Sequence, residues 1–321
     1  MTTAKGDRLT IGWVGTGRMG SVLAARLLEH GCDLTVYNRT RAKAEPLVKL
    51  GARIVDRPAD LADRDIVITS IGGSKDFADV MTGPQGLLTN GNRVPSLVID
   101  ASTVSMDASE EIRAKAATLG TELLAAPVSG NPKVARAGKL SLAVSGPRAA
   151  YDRALPYLQM LGKNVTYVGE GEAARLVKIC HNLVLGVATQ ILAETTVLAE
   201  RGGIRRADYL EFINGSVMGS TFSRYKTPAF VNLDFTPTFT GHLLRKDFEL
   251  GLELGRQLDV PLPVAALVHQ LVVSLIGNGL GDEDFAALLK LEARGANLEL
   301  QPDQRAIADG LDAVEAPGGT S

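Results

Sequence analysis

Three observations in the 321-residue sequence predict an α/β chain with an all-helical second part. Short apolar, β-branched runs alternate with helix-patterned stretches up to about residue 168. A glycine turn stands between the first such run and the first helix, and beyond residue 168 the strand signals stop. Runs that are apolar throughout belong to strands buried on both faces, as in a parallel sheet covered by helices. The expected fold is therefore a doubly wound parallel sheet, then an all-α domain, joined by a long helix.

The elements follow in order. Leu9–Val14 is the first apolar run, and a helix pattern occupies Met19–Glu29. Leu34–Tyr37 reads as a strand, Lys43–Leu50 as a helix, and Ile66–Ile71 and Leu97–Ile99 as further buried strands. Glu122–Ala126, Leu140–Ser145 and Val165–Val168 complete the strand signals. From Glu172 to Arg201 there is no proline and apolar residues stand at most positions, which predicts one helix of about 45 Å. Apolar on most faces, it is expected to be buried between domains or between subunits. Ala207–Asn214, Leu243–Leu258, Ala265–Gly277 and Asp284–Arg294 are helix-like, and the polar, Pro/Gly-rich end from Gln301 reads as a mobile tail. The expected division is 1–168, 169–300 and 301–321.

A net charge of -2 gives no reason to expect nucleic acid or an acidic membrane surface as partner. The polar start and the short first apolar run show neither a signal peptide nor the ~18 apolar residues of a span. Two cysteines, Cys32 and Cys180, fit a reducing cytoplasm rather than a disulfide framework. His30, His181, His242 and His269 are widely separated, and no metal site is expected.

Gly15-x-Gly17-x-x-Gly20 lies between a strand and a helix, the context of a Rossmann-type dinucleotide fingerprint. Gly15 allows the tight turn, Gly17 lets backbone approach a pyrophosphate, and Gly20 lets the helix pack close. Arg18 and Met19 open the helix whose N-terminus would hold phosphate. At the end of the second strand, where NAD-binding chains place an acid for the ribose, this one has Asn38-Arg39-Thr40-Arg41. An arginine fork and a threonine hydroxyl suit a 2′-phosphate, so NADP is the expected cofactor. The other reading of Arg39 and Arg41 is a pair of solvated loop charges.

Pro127-Val128-Ser129-Gly130-Asn131-Pro132 follows a strand and offers a hydroxyl and backbone N–H groups to a small carboxylate. Within the long helix, Lys178 and Asn182 are four residues apart and so share a face. A lysine there either snorkels to solvent or, desolvated, serves as an acid–base group. His181 points about 100° away from Asn182 and reads as structural.

These motifs, with the later Arg245-Lys246-Asp247, resemble the β-hydroxyacid dehydrogenase family over about Leu9–Arg294. That family includes 3-hydroxyisobutyrate dehydrogenase and 6-phosphogluconate dehydrogenase. The resemblance implies that Lys178 is catalytic, that Asn182 orients substrate, and that Ser129 and Gly130 bind it, with Asn131 adding a polar contact. It further implies that Lys246 lies near the cofactor, that Thr103 contacts it after a sheet strand, and that Ile71 and Gly72 form a contacting loop. The departures are Ala125 for an acid, Asn131 for a glycine, and a longer spacing from Gly171 to Lys178. The implied reaction is reversible hydride transfer between NADP and a small β-hydroxy acid or semialdehyde. The alternatives are imine reduction, decarboxylating oxidation of a sugar acid phosphate, and a non-catalytic NADP-binding module. Ser216–Phe222 and Phe235–His242 are the segments expected to line the substrate. The long apolar helix implies a homodimer or homotetramer.

Overall fold

Ile11, Trp13 and Val14 are all but completely buried, as the uniform apolarity of their run requires of a central strand. The computed structural model describes residues 9–89, 93–303 and 305–311. Within them β1 (Ile11–Val14), β2 (Leu34–Tyr37), β3 (Arg53–Ile54), β4 (Ile66–Thr69), β5 (Leu97–Asp100) and β6 (Glu122–Ala125) are parallel. Strands β7 (Val128–Ser129), β8 (Ser141–Ser145) and β9 (Asn164–Gly169) extend the sheet. The order is β3-β2-β1-β4-β5-β6-β8-β7, with β9 also paired to β8. Strand β8 runs antiparallel to β6 and β7, so the sheet is mixed at that edge. The strand order reverses between β1 and β4, the switch point at which doubly wound sheets bind nucleotides.

Helices α1 (Arg18–Glu29), α2 (Glu45–Val48), α3 (Ser74–Thr82), α4 (Met106–Thr118), α5 (Pro132–Arg136) and α6 (Arg148–Leu161) belong with this sheet. The helix expected over Lys43–Leu50 is instead a 3₁₀ turn, Arg41–Lys43, and the single turn α2, because Pro46 can only sit at a helix start. Helix α7 (Ala173–Arg201) has 29 residues, within one residue of expectation. By length and composition it is long and apolar enough to cross a bilayer, but its first turns are bonded to the sheet through Arg175.

The chain separates into two compact units at Lys178/Ile179, about ten residues beyond the expected boundary. The second unit holds the rest of α7 with α8 (Arg206–Gly215), α9 (Thr221–Asn232), α10 (Gly241–Gln257), α11 (Pro263–Gly277) and α12 (Leu288–Gly295). Phe230, Phe248, Phe285 and Leu288 centre its core. Helix α7 is not buried all round. Val177, Val184, Ile191 and Leu198, seven residues apart, are 42–73% exposed. Part of the expected tail is anchored: Arg206 donates to Gln301 O, Asp303 N–H to Val231 O, and Arg305 pairs with Asp208. Residues 312–321 lie outside the described residues.

Candidate active site

The glycine turn has a separate physical reason for each glycine. Gly15 has φ +94°, and a Cβ there would lie 2.2 Å from Ser70 O. The Trp13 indole donates to Gly15 O at 2.8 Å, fixing the turn from below. A Cβ on Gly20 would lie 2.0 Å from Gly15 O, so only glycine lets α1 abut the turn. At exposed Gly17 a Cβ would meet nothing within 4 Å. That opening stands at the N-terminus of α1, where unsatisfied N–H groups favour an anion. Arg18 and Met19 are the first residues of α1. Beside the turn, Thr16 Oγ1 is buried with no hydrogen-bond partner. An open face at Gly17 and an orphaned hydroxyl fit a dinucleotide pyrophosphate.

Asn38 is spent on the loop itself. Its Oδ1 accepts from Thr16 N–H and its Nδ2 donates to Thr40 O, both at 2.8 Å. The residue in place of the ribose-binding acid thus clamps the glycine turn to the Arg39-Thr40 loop. Arg39 has an 82% exposed side chain and pairs with Asp76 at 3.0 Å. Arg41 turns away to Asp56 at 2.5 Å. Ile71 is not in a strand, since β4 ends at Thr69. Its N–H donates to Ser102 Oγ at 2.9 Å, next to half-buried Thr103. Gly72 follows in the same loop, and a Cβ there would stand 3.2 Å from Asp76 Oδ2.

Ser129 ends β7, and Gly130 has φ +127° with no room for a side chain, since a Cβ would lie 2.5 Å from Leu140 Cδ2. Asn131 also has a local structural role. It caps α5, Oδ1 accepting from Lys133 and Val134 N–H at 2.9 and 3.0 Å. An N-cap in place of a glycine is a local helix requirement.

On α7, Arg175 is 2% exposed and ion-paired with Asp100 and Glu172, whereas Lys178 is half-buried. Arg175 thus reaches from α7 to the end of β5, and Lys178 follows it by about one helical turn. Asn182, one turn beyond Lys178, is 1% exposed. In the second unit α7 and α10 cross closely at glycines: a Cβ on Gly186 would lie 2.2 Å from Phe248, and one on Gly251 2.8 Å from Leu183. This crossing sets Asn182 Nδ2 2.5 Å from Asp247 Oδ2. His181 Nδ1 lies 3.0 Å from Asn182 Oδ1. With Nδ2 donating to Asp247, the amide presents Oδ1, which only accepts, to His181. Half-buried Lys246 lies 3.4 Å from the other oxygen, Asp247 Oδ1.

Residues 10–169 match the family model described as the NAD binding domain of 6-phosphogluconate dehydrogenase. Residues 171–292 match the NAD-binding domain of NADP-dependent 3-hydroxyisobutyrate dehydrogenase. The chain belongs to the β-hydroxyacid dehydrogenase family. It is 33% identical to the 2-(hydroxymethyl)glutarate dehydrogenase of Eubacterium barkeri, over 88% of this chain and 94% of that one. It is 30% identical to the chloroplastic glyoxylate/succinic semialdehyde reductase 2 of Arabidopsis thaliana, over 88% and 79%. The solved structure of Psf3 in complex with NADP+ and 2-OPP superposes with a TM-score of 0.80 at 25% identity, covering 88% and 99%. This β-hydroxyacid dehydrogenase relative is an NAD(P)-binding oxidoreductase with a Rossmann domain followed by a helical one.

The Asn182 partner Asp247 was visible in the sequence only as a neighbour of Lys246. Its signal is an acid among the buried positions Leu244, Phe248 and Gly251 of an amphipathic helix. Asp76, Asp100, Ser102 and Arg175 carried no distinguishing local pattern.

Proposed function

We propose that the protein interconverts a small semialdehyde and its β-hydroxy acid with NADP(H), on a 3-hydroxyisobutyrate-like substrate. The observation that carries this reading is a half-buried lysine one helical turn before an asparagine whose amide is locked by a buried carboxylate. In reduction the Lys178 ammonium gives a proton to the carbonyl oxygen as it becomes an alkoxide; in oxidation the neutral amine takes the hydroxyl proton. Asn182 holds that oxygen in line, and Asp247 and His181 keep the amide from rotating. Ser129 and the Gly130 backbone bind the substrate carboxylate, which fixes the reacting carbon by two anchors. When bound, the dinucleotide supplies or receives the hydride. Gly15, Gly17, Gly20, Arg18 and Met19 hold its phosphates, the loops at Ile71, Gly72 and Thr103 lie along it, and Lys246 stands near it.

Preference for NADP is supported by the exposed Arg39 guanidinium beside Thr40 and the absence of an acid at position 38. The NADP-dependent name of the second matching model and the NADP+ held by Psf3 point the same way. The exposed stripe of α7 supports association with a second copy. Cys32 and Cys180, neither of them in a disulfide, suit a cytoplasmic setting.

The test is NADPH oxidation with a panel of three- to six-carbon semialdehydes, in the parent and in Lys178→Ala. The variant should lose roughly 10²–10⁴ in kcat with little change in NADPH affinity. Near-normal turnover without the amine overturns the role of Lys178. NADPH binding with no turnover of any substrate favours the non-catalytic module.

A further inference from the structure

One carboxylate in the first unit joins the cofactor-side loops to the helix that carries Lys178. Asp100, at the end of β5, is 0% exposed. Its Oδ1 accepts from Thr69 Oγ1 at 2.5 Å, Ser102 Oγ at 2.7 Å and Ser102 N–H at 3.3 Å. Ser102 Oγ in turn accepts from Ile71 N–H. This arm therefore holds together the loops after β4 and β5. The second oxygen, Oδ2, accepts from Arg175 Nη2 at 2.8 Å. Arg175 also donates from Nη1 to Ser102 O at 3.2 Å and from Nε to Glu172 Oε2 at 2.8 Å. Glu172 Oε1 accepts from Arg113 Nε at 2.8 Å, and Arg113 Nη2 donates to Gly171 O at 2.9 Å.

Two arginines balance two carboxylates, so the network is neutral. Stability alone is a weak reason for it, because apolar residues of equal volume commonly serve as well or better. What apolar residues cannot give is direction. A planar guanidinium with three committed nitrogens fixes angle as well as distance. The register neighbours of Asp100 are Thr69 on β4 and small, apolar Ala125 on β6, so its counter-ion comes from α7. Arg175 lies one turn before Lys178.

We propose that Asp100, Ser102 and Arg175 are positioning residues, the Oδ1 arm shaping the dinucleotide-contacting loops and the Oδ2 arm setting Lys178 against them. This rests on the reading of Lys178 and of the Ile71 and Thr103 loops given above. The two arms separate experimentally. Ser102→Ala releases Ile71 N–H and weakens NADPH binding, measured by nicotinamide fluorescence, about five- to thirtyfold, the scale of one hydrogen bond to a charged network. Arg175→Met leaves the NADPH dissociation constant within about threefold but lowers kcat per NADPH-binding site roughly 10- to 100-fold, as a misplaced proton donor does.

A readout without turnover accompanies these. Acetylation of Lys178 by acetic anhydride, followed by mass spectrometry, is slowed by saturating NADPH in the parent. In Arg175→Met that protection falls by about fivefold or more although NADPH binds, and Arg175→Lys, which keeps the charge and loses the fork, lies between. A purely structural network gives no such split. Parent-like NADPH affinity in Ser102→Ala together with parent-like protection in Arg175→Met overturns the proposal. Should Arg175→Met not fold, Arg175→Lys and Ser102→Ala carry the same test, and parent-like values in both overturn it. Failure of the functional reading looks different: there NADPH saturates the parent yet Lys178 is acetylated at the same rate with and without it.

Discussion

Asn182 and Asp247, 65 residues apart in sequence, are joined by a buried hydrogen bond from the amide nitrogen to a carboxylate oxygen. The bond leaves the asparagine one amide orientation, with the carbonyl toward His181. Asp247→Ala removes the acceptor and frees the amide to rotate. Its expected result is a fall in kcat of roughly 10- to 100-fold with a smaller change in NADPH affinity, since the substrate oxygen loses its alignment. Asp247→Asn, which keeps shape and an acceptor oxygen, should recover part of the loss. Steady-state kinetics of the two variants decide it, and equal kcat in parent and Asp247→Ala removes the locking role.

Arg39 is held by Asp76 at the first turn of α3, and both side chains are substantially exposed. A 2′-phosphate near this arginine would gain its charge and meet repulsion from Asp76. Arg39→Ala should therefore lower the NADPH-to-NADH ratio of kcat/KM by roughly tenfold or more, and Asp76→Asn should raise it by a few-fold. Both effects shrink with added salt, because exposed charges are screened. A ratio unchanged by Arg39→Ala would return Arg39 to the status of a solvated loop charge.

Gly17 and Gly20 differ in what a methyl group would meet, and so should their alanine variants. Gly17→Ala adds a Cβ into open space at a backbone conformation any residue adopts, with φ -69° and ψ -168°. The protein should keep its Tm within about 2 °C, as surface substitutions do, while losing NADPH affinity because the methyl stands where backbone meets pyrophosphate. Gly20→Ala drives a methyl against Gly15 O and should destabilise by about 1–3 kcal/mol, the scale of an overpacked site. Thermal melts with and without NADPH separate the two. Full affinity in Gly17→Ala would show that the pyrophosphate lies elsewhere.

Features encoded by neighbouring residues could be read directly. The glycine turn, β2 and the two ends of α7 fall at or within one residue of expectation, because period and turn chemistry are local. Helices α6 and α9 were missed, each having a proline inside it, Pro156 and Pro228. Helix α4 was missed because its pattern, MDASEEIRAKAAT, is only weakly two-sided and buries just Ser109, Ile112 and Ala116. In the site, Lys178 and Asn182 stood out as polar breaks in an apolar helix. Their supports did not, since Asp100 and Arg175 are 75 residues apart and only folding joins them. Asn38 and Asn131, expected at ligands from their position, also have local duties that the sequence pattern did not single out: Asn38 bridges Thr16 and Thr40, and Asn131 Oδ1 caps α5.

Val184, Ile191 and Leu198 leave an apolar seam along α7 with Val177 at its start, repeating every seven residues as helix pairs do. The seam should be covered by a second copy of the chain. Val184→Glu with Leu198→Glu places charge in it without touching Lys178 or Asn182. The parent should sediment as a dimer or tetramer, and the double variant should dissociate at the same concentration. A monomeric parent at tens of micromolar excludes this use of the seam.

Lys226 and Asp284 form a buried ion pair in the second unit, with Thr238 Oγ1 donating to the same carboxylate at 2.7 Å and the Lys226 amine 4.2 Å from the centre of the Phe285 ring. Burial pushes the Asp284 carboxyl up, but the Lys226 charge and hydrogen bonds from Lys226, Thr238 and Ala286 outweigh it and hold the carboxyl below its ordinary value. A carboxyl depressed in the folded state is protonated more readily in the unfolded chain. Its stabilisation is thus complete above the unfolded value of about 4 and is lost as pH falls through the lower folded value. Asp284→Asn removes the buried carboxylate charge paired with Lys226 and should cost about 3–5 kcal/mol at neutral pH. Plotted against pH, the Tm gap between parent and variant should be constant from pH 7 to about 5 and narrow below about 4. A gap that stays the same down to pH 2.5 would show that the carboxylate charge contributes nothing to holding α9 against the Asp284 turn.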